Sequence, residues 1–288
     1  MSWRTIVISS NAKLDYQMGY LVVRGQETRK IYISEISAII IESTAVSMTA
    51  YLLCELTKNK VKVIFCDEKR NPSSELVAFY GSHDTSMKVR TQIKWEDETK
   101  HIIWTEIVRD KIRKQAALLK KRGAAEEKML REYEKEITIG DTTNREGHAA
   151  KVYFNALFSK SFSRTEDCPT NAALNYGYSI LLSFFNREIV SNGYITQLGI
   201  FHDNMFNQFN LASDFMEPFR PVIDEIVLDM DLPVFQKEQK HELLSGLQNE
   251  IMIDGRMEYI PNAIKIYTKS LFDAINERDI SLIKFYTI

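Results

Sequence analysis

Residues 201–220, FHDNMFNQFNLASDFMEPFR, place one imidazole, His202, ahead of two carboxylates, Asp214 and Glu217. A proline such as Pro218 fits only the first turn of a helix, so Asp214 suits an N-cap and Glu217, three positions on, resembles a capping box. The same spacing puts both carboxylates on one helical face, where they could share a divalent cation. A lone histidine among aromatic residues is typical of a partly buried imidazole as well as of a ligand, so the residues alone leave both interpretations open.

A further acidic residue, Glu146, lies upstream in Asn144–Phe154 (NREGHAAKVYF), where it falls in the first turn of an apparent helix. The helix dipole favours an acidic residue there, which is a sufficient structural explanation. Gly147 is unexpected, because glycine costs about 1 kcal/mol relative to alanine inside a helix and suits a close approach of backbone or ligand. One site of carboxylate oxygens and an imidazole nitrogen for Mg²⁺ or Mn²⁺, acting on a phosphodiester, would explain Glu146 together with His202 and the later carboxylates.

Basic side chains cluster in residues 109–122 (RDKIRKQAALLKKR), within a segment of helical period. Such a cluster is typical of a solvated helix face, and equally of a rail for the DNA backbone, which needs lysine and arginine but no base contacts. Its members are Arg109, Lys111, Arg113, Lys114, Lys120, Lys121 and Arg122.

The sequence patterns around these residues predict the helices and strands that position them, in an α+β fold of two domains. Alternating and β-branched runs predict a small β-sheet-rich domain over residues 1–84, with one helix among its strands, and the small polar residues of Gly81–Thr85 predict its boundary. Apolar residues at three- and four-residue steps then predict a larger all-α catalytic domain over 85–288, with a strand-like SLIKFYTI at its end. The predicted strands are Arg4–Ser9, Tyr20–Arg24, Lys30–Ser34, Ser37–Glu42 and Val61–Cys66, and the predicted helices are Ser47–Thr57, 145–160, 171–191, 204–211, 214–229 and 262–277.

The composition is that of a globular protein in a reducing compartment. The 288 residues are 44% hydrophobic and carry a net charge of −2, which argues against a protein coated in positive charge but not against a local basic stripe. No run approaches about 20 apolar residues, and the first residues are too polar for a signal peptide. Three scattered cysteines form no CxxC pair, so we expect neither disulfides nor zinc, a cytoplasmic location and no membrane partner.

Three segments together resemble one family, the CRISPR spacer-acquisition integrases, which are the catalytic subunits of the CRISPR adaptation complex. They are NREGHAAKVYF, the later GIFHDNMFNQFNLASDFMEPFRP (199–221) and the N-terminal FCDEKRNPSSELVAFYGSHD (65–84), of which the last resembles the type II form. The resemblance covers almost the whole chain and is weakest in 85–140 and after 230. It implies the same arrangement of an N-terminal β-domain, over residues 1–84, for dimerisation and DNA contact, and a C-terminal helical domain that holds the active site.

The resemblance also implies a reaction and partners. A 3′-hydroxyl of a captured double-stranded DNA fragment, the prespacer, attacks a phosphodiester of the CRISPR leader-repeat DNA in a transesterification. Homodimers flank a dimer of the small second CRISPR adaptation protein, which gives a heterohexamer. In the type II form, an accessory DNA-end-binding protein and the effector nuclease are further implied partners.

The family's metal ligands correspond to Glu146, to His202 and to either carboxylate of the DxxE pair, Glu217 or Asp214, so these four are the implied catalytic and Mg²⁺ or Mn²⁺ ligands. His148 departs from the family's small residues and is placed outside the metal shell. The implied DNA-binding candidates are Asn144, Arg145, Arg220, Arg109, Arg113, Lys114, Lys120, Lys121, Lys88 and Arg90. For Arg220, an ion pair with Asp224 at i,i+4 is the structural alternative.

Two other functions stay open on the residues. The same ligands would serve a metal-dependent nuclease that cuts DNA without joining it, because hydrolysis and transesterification differ only in the nucleophile. A non-catalytic DNA-binding scaffold, whose carboxylates merely cap helices, is the third hypothesis.

Overall fold

The computed structural model describes residues 4–78 and 82–287. Within them, the N-terminal part forms two four-stranded sheets, one in the order β1-β5-β7-β8 and the other in the order β4-β3-β2-β6. In the first sheet β1, β5 and β7 run parallel and β8 is antiparallel to β7. The elements are β1 (Arg4–Ile8), β2 (Ala12–Gln17), β3 (Tyr20–Arg24), β4 (Thr28–Tyr32), β5 (Ile36–Ile41), β6 (Val46–Met48), α1 (Ala50–Lys58), β7 (Lys62–Cys66) and β8 (Pro72–Leu76).

Strand β5 joins the two parts of the molecule because both of its faces are buried. Ala38 and Ile40 pack into the core of the helical part, whereas Ile39 and Ile41 pack into the core between the two sheets. Successive side chains of a strand point to opposite faces, so the uninterrupted run SAIIIE predicts this burial, and the prediction is confirmed.

The remainder is mainly helical, and the predicted α+β class is confirmed. The C-terminal residues add a small sheet, in the order β10-β9-β11, that the all-α expectation lacked. The elements are α2 (Thr85–Ile93), α3 (Asp97–Lys121), α4 (Glu127–Lys135), α5 (Arg145–Leu157), α6 (Pro169–Ser191), α7 (Asn210–Phe215), α8 (Arg220–Asp229), α9 (Lys237–Gly246), β9 (Glu250–Ile253), β10 (Arg256–Tyr259), α10 (Ile260–Glu277) and β11 (Tyr286–Thr287).

Helix α3 is the central element of the helical part, because it contacts α4, α5, α8 and α10. Its apolar residues, including Trp104, Ile107 and Ile112, are fully buried in the main core. A helix of 25 residues that is surrounded on several sides offers buried positions to polar side chains as well, and the site described below uses them.

The predicted helices at 145–160, 171–191 and 262–277 are confirmed by α5, α6 and α10. The helix at 204–211 is wrong, because residues 203–209 form turns and α7 begins only at Asn210. The helix at 214–229 is interrupted by a 3₁₀ turn at Glu217–Phe219, between α7 and α8. Pro218 and Pro221 lack the N–H that a continuous helix would need there.

Strands β2, β6 and β8 were not predicted, because they carry many polar residues and no apolar run. Gly81, in the predicted boundary, and Ile288, at the end of the predicted C-terminal strand, lie outside the described residues. No helix in the described part of the chain is long and apolar enough to cross a membrane.

Candidate active site

Glu146, His202 and Glu217 line a single cavity of about 300 Å³, although they lie on three separate elements. Glu146 stands in the first turn of α5, His202 in the loop between α6 and α7, and Glu217 in the 3₁₀ turn before α8. The other residues that line the cavity are Lys111, Gln115, Phe154, Arg164, Tyr178, Arg220 and Asp224.

The turn before α5 fixes the position of Glu146. The carboxylate of Asp141 accepts hydrogen bonds from the backbone N–H of Arg145 (2.8 Å) and Glu146 (3.0 Å). Asn144 caps α5 from the left-handed region, at φ 52°, and its Oδ1 accepts from the N–H of Gly147. A Cβ on Gly147 would lie 2.7 Å from that Oδ1, so the glycine that the sequence made unexpected accommodates the cap rather than a ligand.

The loop that carries His202 is held by the fully buried carboxylate of Asp214. Asp214 accepts hydrogen bonds from the backbone N–H of Ile200, Phe201 and His202 and contacts His202 Nδ1 at 2.6 Å. A Cβ on Gly199 would meet the carbonyl of His202 at 2.3 Å, so this close loop requires glycine. The predicted N-cap role of Asp214 is wrong, because Asp214 lies near the C-terminal end of α7. Its carboxylate accepts hydrogen bonds from the N–H groups of the loop instead.

The contact with Asp214 determines which ring nitrogen of His202 is available. The hydrogen bond to Asp214 raises the pKa of His202, although partial burial of the ring acts to lower it. Because Nδ1 is engaged by Asp214, Nε2 is left for a ligand in the cavity. A carboxylate behind a histidine in this manner is the usual support for a metal-binding imidazole.

Glu217 is buried and bonded to two cations. Its Oε2 lies 2.5 Å from Lys111 Nζ, and its Oε1 accepts a hydrogen bond from Arg220 Nε at 2.8 Å. Burial by itself would raise the pKa of Glu217, but Arg220 and Lys111 outweigh it and lower that pKa to about 2. The predicted capping-box role of Glu217 is therefore wrong, since its side chain is directed at these cations.

The Lys111 ammonium also lies 2.5 Å from Glu146 Oε1, so a single buried cation bridges the two carboxylates. Among residues 4–78 and 82–287, no three acidic, histidine or cysteine side chains are grouped closely enough to hold a metal as they stand. The donors nevertheless fit one: two carboxylates and an imidazole nitrogen suit Mg²⁺ or Mn²⁺, and the Lys111 ammonium marks the point where the two carboxylates already hold a positive charge.

A third carboxyl group, Asp224, also lines the cavity. It accepts hydrogen bonds from the hydroxyls of Tyr153 and Tyr178. Burial raises the pKa of Asp224 to about 6, against the lowering effect of the two tyrosines. Arg220 bonds to Glu217 and lies 4.6 Å above the ring of Tyr178, so the predicted Arg220–Asp224 ion pair is replaced by the pair with Glu217.

Comparison with known proteins shows the family to which the chain belongs. Residues 5–240 match the family model described as CRISPR associated protein Cas1. The chain belongs to the Cas1 family. It is 34% identical over 256 residues to the CRISPR-associated endonuclease Cas1 of Neisseria meningitidis serogroup C (strain 8013), covering 88% of this chain and 83% of that protein. The family resemblance drawn from the sequence is thereby confirmed.

Solved structures of lower identity share the Cas1 fold. A CAS1 protein from Thermotoga maritima is 18% identical, with a TM-score of 0.76 over 95% of this chain and 97% of that one. A casposase bound to integration product is 17% identical, with a TM-score of 0.79 over 97% and 92%. A Cas6-RT-Cas1–Cas2 complex gives a TM-score of 0.72 at 21% identity, over 97% of this chain and 36% of that one.

The predicted basic cluster at residues 109–122 contains both buried and exposed side chains. Lys114 is buried, pairs with Asp110 and lies 3.4 Å from the ring centroid of Tyr286, so its prediction as a DNA contact is wrong. Arg113, Lys120 and Lys121 are exposed, although Arg113 pairs with Glu134 and Lys121 pairs with Glu225. A helix of 3.6 residues per turn distributes such a run around its whole circumference.

The other predicted DNA contacts have partners within the chain. Asn144 caps α5, and Arg145 pairs with Glu136 at 3.0 Å. Arg109 pairs with Glu106, and Lys88 lies 5.5 Å from the centroid of the Tyr194 ring. The remaining candidate, Arg90, is exposed near the end of α2, and the excluded His148 is exposed outside the cavity.

The sequence did not identify Lys111, Gln115, Arg164 or Tyr178 as cavity residues. The sequence places Lys111 in the basic cluster at residues 109–122, which predicts a DNA contact for it instead. The spacing of Lys111 and Gln115 at i,i+4 was the available signal, because it puts both side chains on one face of α3. The elements that this face meets lie far away in the chain.

Proposed function

We propose that this Cas1 chain is a metal-dependent DNA integrase that inserts prespacer DNA into a CRISPR repeat by transesterification. The observation that carries the proposal is the convergence of Glu146, His202 and Glu217 in one cavity whose other charged residues include three cations, Lys111, Arg164 and Arg220. The cations suit a phosphodiester, and the acidic and imidazole donors suit Mg²⁺ or Mn²⁺. Relatives named as endonucleases and a casposase bound to integration product support the same chemistry.

Each residue has a distinct role in this proposal. Glu146, Nε2 of His202 and Glu217 would hold the metal, which would supply Lewis-acid stabilisation of the charge on the attacking and leaving oxygens. Asp214 is a positioning residue that orients His202. The low pKa of Glu217 keeps its carboxylate ionised at neutral pH, which a ligand of a divalent cation requires.

Two arginines are placed to bind the DNA phosphate. Arg220 is held by Glu217 and by the ring of Tyr178, and Arg164 bonds to the side-chain amides of Asn171 and Asn175. Side chains fixed in this way present their remaining N–H groups without a further loss of conformational entropy on binding. They would hold the scissile phosphate while the 3′-hydroxyl approaches.

The proposed assembly follows the Cas1–Cas2 complexes among the structural neighbours. In it, homodimers of this chain flank a dimer of the second adaptation protein in the cytoplasm. The type II features of the sequence add an accessory DNA-end-binding protein and the effector nuclease as proposed partners.

A strand-transfer assay tests the proposal. The chain and its small partner are mixed with Mn²⁺, a labelled duplex that has free 3′-hydroxyls, and a plasmid that carries one leader and repeat. We expect label joined at the repeat edges, lost with Glu146→Gln and with a blocked 3′ end, and retained with Glu132→Gln, which changes an exposed carboxylate outside the cavity.

Two outcomes would replace the integrase with another function. Cleavage of DNA without joining would favour a nuclease, to which the endonuclease names of the relatives also point. Intact DNA binding with no reaction and no effect of Mn²⁺ would favour the scaffold.

A further inference from the structure

The buried ammonium group of Lys111 lies between the two carboxylates of the proposed metal site. Lys111 Nζ lies 2.5 Å from both Glu146 Oε1 and Glu217 Oε2, and only 6% of the Lys111 side chain is exposed. A divalent cation held by the same two carboxylates would need the same position. Two cations cannot occupy it together in a site of low dielectric constant, so the ammonium must move before the metal can bind.

The adjacent turn of α3 offers the ammonium another partner. Gln115 lies four residues after Lys111, lines the same cavity and is 1% exposed. Its Oε1 has no donor among the described residues, which is unusual for a buried acceptor. The nearby Asp224 is already bonded through both of its oxygens to Tyr153 and Tyr178, so Gln115 is the acceptor still open to the ammonium.

We propose that Lys111 is an exchangeable counter-ion of the metal site: its ammonium holds Glu146 and Glu217 in place without metal, and it moves to Gln115 when a divalent cation binds. The inference rests on the metal site proposed above. It explains how two carboxylates stay close together in the metal-free protein, where mutual repulsion would otherwise separate them. It also means that the metal binds only the fraction of molecules from which the ammonium has moved, which lowers the apparent affinity.

Calorimetric titration with Mn²⁺, at one pH and ionic strength, measures the exchange. Lys111→Met removes the competing charge, so we expect the apparent Kd to fall by about tenfold, as if the competent fraction rose from roughly a tenth to one. Gln115→Leu removes the alternative acceptor, and we expect the Kd to rise by about threefold. Lys100→Met, on the same helix but paired with Asp97, is the matched control and should change nothing.

The opposite signs of the two effects distinguish exchange from a merely structural role. A Kd for Lys111→Met equal to or weaker than that of the wild type would overturn the proposal, and so would an unchanged Kd for Gln115→Leu. If Lys111→Met fails to fold, Lys111→Arg keeps the charge and pairs more firmly with both carboxylates, so it should weaken Mn²⁺ binding. Absence of Mn²⁺ binding in the wild type and all variants would instead overturn the metal site itself.

Discussion

The two faces of helix α3 carry the same kinds of residue and use them differently. On the inner face, Lys111 and Lys114 are buried and pair with carboxylates. On the outer face, Arg113, Lys120 and Lys121 are exposed to solvent. The difference shows that clustered positive charge in a sequence indicates neither a DNA surface nor a core until the surroundings of the helix are known. Burial makes an inner cation a required counter-charge. The outer cations stay exposed even where they are ion-paired, Arg113 with Glu134 and Lys121 with Glu225, so phosphate can still reach them.

The largest expected effect comes from a substitution in the cavity that the inner face of α3 lines. His202→Ala removes the imidazole ligand while leaving the basic residues in place, so strand transfer should fall by at least about a thousandfold, with duplex binding nearly unchanged. The assay with labelled prespacer measures the first, and fluorescence anisotropy of the same duplex measures the second. His148→Ala, on the exposed side of α5, is the control. Integration by His202→Ala at the wild-type rate would remove His202 from the site.

The next effect compares the two faces for stability. Lys114→Ala leaves the buried Asp110 with only its longer ion pair to Arg113, at 3.7 Å, which should cost about 3 kcal/mol of unfolding free energy. Lys120→Ala, exposed on the outer face, should stay within about 0.5 kcal/mol of the wild type. Urea unfolding measures both values, and equal effects of the two substitutions would contradict the assignment of the faces.

The pH dependence of stability sharpens the account of the inner face. The pKa of Glu217 is lowered in the folded protein from 4.5 to about 2 by Arg220 and Lys111 against the effect of burial. Its contribution is therefore fully present above pH 4.5 and is lost as the pH falls toward 2. We expect the stability difference between wild type and Glu217→Gln to shrink over that window in urea unfolding. A difference that is constant with pH would show that Glu217 is not held by these cations.

The smallest expected effect tests the outer face as a DNA surface. Lys120→Ala and Lys121→Ala together should weaken binding of any duplex by a few fold and reduce the salt slope by about one per lost phosphate contact. Lys265→Ala, at an exposed position of α10, is the control. Unchanged slopes would mean that this face of α3 carries no DNA.

Local rules predicted most elements but assigned the wrong role to Asp214. Its spacing from Glu217 and Pro218 satisfied a capping pattern, yet the loop at 200–202 presents three backbone N–H groups that no local rule foresees. The family resemblance predicts Glu146 and His202 as ligands, whereas spacing alone leaves a structural explanation for each open.

Lys111 shows which part of the site could not be predicted from local sequence patterns. Its helical period was clear, but its partners lie 35 and 106 residues further along the chain. Burial of a charged side chain depends on such distant elements, and no pattern within α3 encodes them. The irregular segment 203–209 differs from its predicted helix for a local reason, because asparagine side chains there accept hydrogen bonds from nearby backbone N–H groups of the loop.

Anomalous diffraction from crystals of the chain with Mn²⁺ would test the central claim most directly, because it locates the ion and the surrounding side chains together. We predict a peak bounded by Glu146, His202 Nε2 and Glu217, with the Lys111 ammonium moved to Gln115. An ion elsewhere, or no ion with Lys111 still bridging the two carboxylates at saturating Mn²⁺, would contradict the account.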